Sequence, residues 1–221
     1  MICAVIARKS FSEILSLLPR FSLAEIRLDL LTLTPDETAR IFSSHPGLIA
    51  TYRKRDSVSD TTRLQRLKQA LESGAWAADI DITDPSDFIS TVQDSDSRLI
   101  LSFHDFDKTP PASELEQTLL VMKRRCPDII KMAAYAHSSA DMLRLLSFYS
   151  HPRLSGSSLI LLSMGPRGIL SRIGAPLLGA PFTYAAADDS SGTAPGQLTV
   201  SRMETLFSLL EMNDPGKGDR P

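Results

Sequence analysis

Cysteine is scarce. Cys3 and Cys126 are the only two in 221 residues, they lie far apart, and neither belongs to a Cys-x-x-Cys pair or a Cys/His cluster with metal-ligand spacing. That excludes a disulfide framework and predicts two structural thiols in a reduced, cytoplasmic setting. An excess of one charge sign is missing as well, since 24 Lys and Arg stand against 26 Asp and Glu, a formal net charge of -2. A broad basic field for nucleic acid or an anionic membrane is therefore ruled out, and any preference for anions must be local. Long apolar runs are also lacking. Residues 1–8 are apolar but have neither the basic start nor the extended core of a secretory signal, and no stretch approaches membrane-spanning length. The chain reads as soluble, with no membrane partner. No flexible tract interrupts its interior, so nothing argues for dividing it.

What is present is alternation. Short β-rich apolar runs recur with polar, helix-periodic stretches between them, the pattern of a parallel sheet joined by crossover helices. Eight such runs are expected: 2–7, 23–28, 48–52, 77–82, 99–103, 128–132, 159–163 and 181–185. Helices are expected near 10–18, after Thr34-Pro35-Asp36, over 61–73, after Pro85, and near 112–125, 138–149 and 197–211. Strand starts recur about every 20 to 30 residues, the repeat of a (β/α)8 TIM barrel of roughly 200 to 250 residues. A single catalytic domain is expected over 1–212. Residues 213–221, rich in Pro, Gly and charge, are expected to be a disordered tail.

Polar residues interrupt these runs at informative places. In the second strand Glu25, Arg27 and Asp29 alternate with Ile26, Leu28 and Leu30, which puts the three charges on one face. The helix-facing side of a barrel strand must be apolar, so the charged face looks inward, where charges need partners or a polar ligand. An internal Glu-Arg salt bridge accounts for the strand equally well. Arg53 and His104 follow the third and fifth runs and Lys131 follows 128–130 near the end of the sixth, at the rim where barrels of this type keep their active sites. His104, beside Asp105, offers a group that titrates near neutral pH, although a lone loop histidine is usually only solvated. Lys131 interrupts the apolar run Ile129 to Ala134, where an ammonium is ordinarily avoided. Desolvation there would favour the neutral amine, a nucleophile for a carbonyl; a snorkelling or salt-bridged lysine is the plainer alternative. After the seventh run, 163–172 brings glycines together with Arg167 and Arg172, suited to a carboxylate or phosphate. After the eighth, 191–197 presents the Thr193 hydroxyl and the Gln197 amide on a rigid turn.

Taken in order, the segments Glu25-Ile26-Arg27-Leu28-Asp29, Thr51-Tyr52-Arg53, Ser102 to Phe106, Lys131, Ser163 to Arg172 and Ala194-Pro195-Gly196-Gln197 resemble the type I 3-dehydroquinate dehydratases of the shikimate pathway. Nearly the whole chain up to the tail is covered. The resemblance implies dehydration of 3-dehydroquinate to 3-dehydroshikimate through a Schiff base on Lys131, with His104 as proton shuttle and no metal or organic cofactor. It further implies that Arg172 pairs with the substrate carboxylate, while Glu25, Arg27, Arg53, Thr193 and Gln197 hold the carboxylate or ring hydroxyls. A cytoplasmic homodimer fits the family habit. Two departures stand out. Thr193 occupies a position where the family usually has serine. The glutamate that the family places shortly after Thr-x-Arg, to orient the histidine, is missing from Arg53-Lys54-Arg55-Asp56-Ser57, which leaves Asp56, Asp105, Asp81 or Asp79 for that role. A Schiff-base aldolase and a catalytically dead barrel that binds a metabolite are the rival readings.

Overall fold

The structure is a computed structural model that describes residues 1–210. Its strands are β1 (Ile2–Ile6), β2 (Ala24–Arg27), β3 (Leu48–Thr51), β4 (Ala77–Asp81), β5 (Arg98–Asp105), β6 (Ile129–Tyr135), β7 (Leu159–Met164) and β8 (Thr183–Ala186). The helices between and after them are α1 (Phe11–Leu17), α2 (Pro35–Ser43), α3 (Asp60–Glu72), α4 (Ser86–Gln93), α5 (Ala112–Arg124), α6 (Ser139–Leu146), α7 (Ile169–Gly174) and α8 (Val200–Leu209). Helix starts follow local chemistry: Ser10, Thr34 and Ser138 each accept from the backbone three residues on, and Glu13, Glu37 and Asp141 return the bond. These reciprocal caps satisfy amides that the helix itself leaves open.

Every ladder is parallel, and the strand order is β7-β6-β5-β4-β3-β2-β1-β8. Between the two ends, β8 and β7, the (β/α)8 barrel closes through Ile160, Leu162, Phe182 and Tyr184, which share one buried cluster. Period-2 alternation divides the strands cleanly. Outward residues such as Ala4, Ile26, Ala50, Ile80, Leu101, Met132 and Leu161 pack on Ile14, Ile41, Leu67, Phe88 and Leu119 of the helices. Inward residues at the strand starts, Cys3, Leu23, Ile49, Ala77, Ile100, Ile129 and Ile160, form a smaller apolar cluster that plugs the barrel at its N-terminal end. Both cysteines are free, Cys3 buried and Cys126 exposed. Among the described residues no helix is long and apolar enough to cross a membrane.

Several boundaries differ from the sequence expectation. β5 runs on to Asp105, so His104 lies within the strand instead of following it. β6 runs on to Tyr135, so Lys131 is a mid-strand residue and not a strand-end one. Met132, Ala133 and Ala134 have little strand propensity, but ladder partners on both sides, from Met132↔Leu161 to Asp105↔Ala134, carry the strand through them. β2 stops at Arg27, and Asp29 sits in the 3-10 turn over 28–30, off the strand face. α7 has no counterpart in the expected helices: six residues, with glycines at 168 and 174, show no legible period. The final helix starts at Val200, capped by Thr199, three residues later than expected. The expected tail 213–221 lies outside the described residues.

Candidate active site

One pleat step above the apolar plug, the inward positions become polar: Glu25, Thr51, Asp79, Ser102 and Lys131, all buried. Lys131, 6% exposed, donates from Nζ to Asp79 Oδ2 at 2.8 Å. The same nitrogen is 3.8 Å from Glu25 Oε1 and 4.0 Å from the centre of the Tyr184 ring. Glu25 Oε1 also accepts from Thr51 Oγ1 at 2.8 Å. Sequence alone surrounds Lys131 with apolar residues; alternation turns Ile130 and Met132 outward and leaves the amine facing two carboxylates and an aromatic face. An internal Glu25-Arg27 salt bridge, the other expectation for β2, is not formed. Arg27 is instead held by both Asp29 oxygens at 2.9 Å. Arg53 forms an ion pair with Asp79 Oδ1 at 2.8 Å and donates to Ser102 Oγ at 2.9 Å. Burial alone would raise the Asp79 carboxyl, but Arg53, Lys131 and His104 together hold it well below the usual carboxylate range.

The next pleat step brings Arg27, Asp81 and His104 to the same inner face. On adjacent strands Ser102 pairs with Lys131, so His104 stands one step above the amine on the neighbouring strand. Its ring stacks on Phe106 with centroids 5.9 Å apart and an interplanar angle of 12°. Nδ1 lies 3.3 Å from Asp81 Oδ2. Burial pushes the His104 pKa down to about 4, and Arg53 and Lys131 push in the same direction against the pull of Asp81 and Asp79. At neutral pH the imidazole is therefore uncharged and can take a proton.

Lys131 and His104 open into one cavity of roughly 540 Å³, which Glu25, Arg27, Arg53, Arg172, Thr193 and Gln197 also line. All eight residues expected at the site thus converge. Arg172 is buried on α7, its Nε has no partner among the described residues, and burial pushes its pKa down to about 10. A desolvated guanidinium with an open donor is a receptor for a carboxylate. Its helix is fixed by Ser171, whose Oγ accepts from Ser163 N at 2.7 Å and donates to Gly168 O at 2.7 Å. Gly168 is required there, because a Cβ would meet the Ser163 backbone at 2.5 Å. Gly196, at φ +75, lets the last loop approach Gly165 O. Gln197 Oε1 accepts from Thr193 N at 2.8 Å and from its hydroxyl at 3.3 Å, so the two act as a unit.

Sequence reading overlooked Arg8 and Tyr184, and quoted Thr51 and Ser102 within their segments without giving either a role. Arg8 lines the cavity and donates to Gly192 O at 2.8 Å, tying the end of β1 to the loop that carries Thr193. Asp79 and Asp81 were open possibilities; the inward alternation Ala77-Asp79-Asp81 in β4 carries the same signal that exposed Glu25 and Arg27 in β2.

A parallel barrel plugged by apolar residues below, with an amine, a neutral imidazole and an unpaired guanidinium above, defines a (β/α)8-barrel enzyme with a site for a small anionic molecule. The chain belongs to the type I 3-dehydroquinase family, whose model matches residues 2–214. A 3-dehydroquinate dehydratase from Syntrophobacter fumaroxidans is 32% identical over 225 residues, covering 95% of this chain and 96% of the relative. One from Dehalococcoides mccartyi is 32% identical over 212 residues, with 93% and 94% covered. In fold, the chain is similar to the solved type I 3-dehydroquinate dehydratase from Clostridium difficile, with a TM-score of 0.81 at 22% identity over 96% of this chain and 92% of that one.

Proposed function

We propose that this enzyme dehydrates 3-dehydroquinate to 3-dehydroshikimate, the third step of the shikimate pathway, through an imine on Lys131. The observation that carries the reading is the convergence of Lys131, His104 and the unpaired Arg172 on one cavity. Arg172 receives the substrate carboxylate. Arg27, Arg53, Thr193 and Gln197 hold the carboxylate or ring hydroxyls, with Glu25 contributing from deeper in the barrel. Holding the reacting atoms in line contributes several kcal/mol of barrier lowering, on the order of that seen in intramolecular reactions.

The amine of Lys131 attacks the C3 ketone, and the carbinolamine expels its hydroxyl as water to leave an iminium. The iminium draws electrons from C2, so His104 can remove a C2 proton and generate an enamine. The imidazolium then protonates the C1 hydroxyl, which departs as water as the iminium re-forms. A water molecule hydrolyses that iminium, releasing product and the free lysine, so the net change is loss of one water. Neither a metal nor an organic cofactor takes part in these steps. The enzyme works as a cytoplasmic homodimer, with residues 1–212 as its catalytic domain. Purified protein should convert 3-dehydroquinate to 3-dehydroshikimate. Affinity for the substrate without product would instead mark a binding protein, and turnover of a phosphorylated aldol substrate would mark an aldolase.

A further inference from the structure

We propose that Asp81 is the positioning residue of His104: its carboxylate, clamped by Thr83, accepts the Nδ1 hydrogen and so leaves the Nε2 lone pair facing the cavity. The proposal rests on the dehydratase reading for its kinetic consequences only; the tautomer follows from geometry.

The other acids near the imidazole are committed elsewhere. Asp56 is exposed and does not line the cavity. Asp105 Oδ1 accepts from the backbone amides of Asp107 and Lys108 at 3.0 and 2.9 Å. Asp79 holds Lys131 and Arg53. Asp81 alone among them reaches a ring nitrogen, Oδ2 to Nδ1 at 3.3 Å.

Its other oxygen is fixed in place. Oδ1 accepts from Thr83 N at 3.0 Å and from Thr83 Oγ1 at 2.7 Å. The backbone at Asp81 is held too: Asp81 N donates to Asp84 Oδ2 at 3.1 Å, and Asp84 Oδ1 accepts from Arg63 Nη2 at 2.7 Å. Arg63 is fully buried on α3, over the Phe88 ring at 4.9 Å. A chain of contacts therefore runs from the outer helices to the imidazole. It gives the short aspartate side chain a rigid mount, which a pendant loop residue would lack.

An ionised carboxylate can only accept a hydrogen bond, so Nδ1 must carry the hydrogen. Because the ring is otherwise neutral, Nε2 is left bare, the form a general base needs. The charged groups that face His104 are Arg53 after β3, Asp79 and Asp81 on β4, and Lys131 on β6. The two cations oppose protonation, while the two carboxylates support it. Asp81 is the one that adds a directional bond.

Nitrogen-15 spectra of the imidazoles in the full-length protein test this directly. The wild type should show His104 with a protonated Nδ1 and a bare Nε2. Asp81→Ala should shift the ring toward the Nε2–H tautomer and lower its midpoint of titration, and Asp81→Glu should restore the Nδ1–H form. In turnover, Asp81→Ala should lower kcat about 10- to 100-fold with KM within about threefold, and Asp81→Glu should recover part of the loss. Thr83→Val removes one hydroxyl at an exposed position and should lower kcat by a few-fold; it carries the kinetic test alone if Asp81→Ala does not fold. An Nε2–H tautomer in the wild type, or kcat within about twofold of wild type in Asp81→Ala, or in Thr83→Val when that variant stands alone, overturns the proposal. Absence of wild-type turnover would sink the dehydratase reading while the spectra still decide the role of Asp81.

Discussion

The barrel interior has two layers that differ in almost every physical respect, although the same strands supply both. Below, Leu23, Ile49, Ala77, Ile100, Ile129 and Ile160 are buried together in one apolar cluster. Above, a step of two residues along each of five strands, Glu25, Thr51, Asp79, Ser102 and Lys131 form a continuous polar network. Burying charge in this way contributes little net stability, because the pairing offsets the lost hydration. The upper layer is therefore better explained by chemistry than by folding, and the lower layer by folding alone. The plug also gives the site a single open end, at the strand C-termini where the loops bring Arg172, Thr193 and Gln197.

That contrast can be broken by substitution. The largest effect is expected for Lys131→Ala, whose turnover should fall about 10,000-fold or more while far-UV circular dichroism remains that of a folded barrel. Arg172→Ala should come next. Removing one side of a buried charge-assisted pair costs about 3 kcal/mol, which corresponds to a KM roughly 100-fold higher, and kcat should change less. In the lower layer the pattern should invert. Ile100→Ala creates a cavity beneath the site and should cost about 2 to 5 kcal/mol of stability in urea melts, yet leave kcat within about twofold. A stable Ile100→Ala protein that has lost activity would mean that the plug shapes the chemistry directly.

Smaller effects appear with pH. Because His104 titrates at about 4 in the folded protein, the acid limb of kcat/KM should bend near pH 4; a bend near 6.5 would show the imidazole to be solvated. The unfolded chain takes up this proton first, at its ordinary value near 6.5. Stability should therefore decline as pH falls from about 6.5 to about 4 and then cease to depend on this group. His104→Asn should flatten that part of the stability curve. The Asp79 and Asp81 carboxyls are both lowered, so the stability they contribute is present above about pH 4 and is lost only as pH falls further, through their folded values. Acid melts of the wild type and of His104→Asn separate the two windows.

Much of this arrangement was legible in the sequence. Strand order and number follow from the eightfold alternation, and Glu25 and Arg27 declare an inward polar face because helix-facing positions cannot be charged. Motif order along the chain brings in Arg172, Thr193 and Gln197, which no local pattern would pair with Lys131. The partners of Lys131 were not legible, and for His104 the sequence left four aspartates open. Whether the amine meets apolar groups or Asp79 and Glu25 depends on register between strands far apart in sequence, such as Ser102↔Lys131 and Asp79↔Ile100. Strand length was misjudged at β6 for a related reason: pairing with both neighbours overrode the weak propensity of Met132, Ala133 and Ala134. α7, which mounts Arg172, was hidden because its six residues owe their position to the Ser171 bonds and to the Gly168 contact.

The central claim is that the Lys131 amine bonds to the substrate ketone. Borohydride reduction during turnover of 3-dehydroquinate, followed by peptide mass analysis, tests it most directly. The account predicts a single stable adduct on the peptide that contains Lys131, absent from Lys131→Ala. An adduct on a different lysine, or undiminished turnover with no adduct at all, would contradict it.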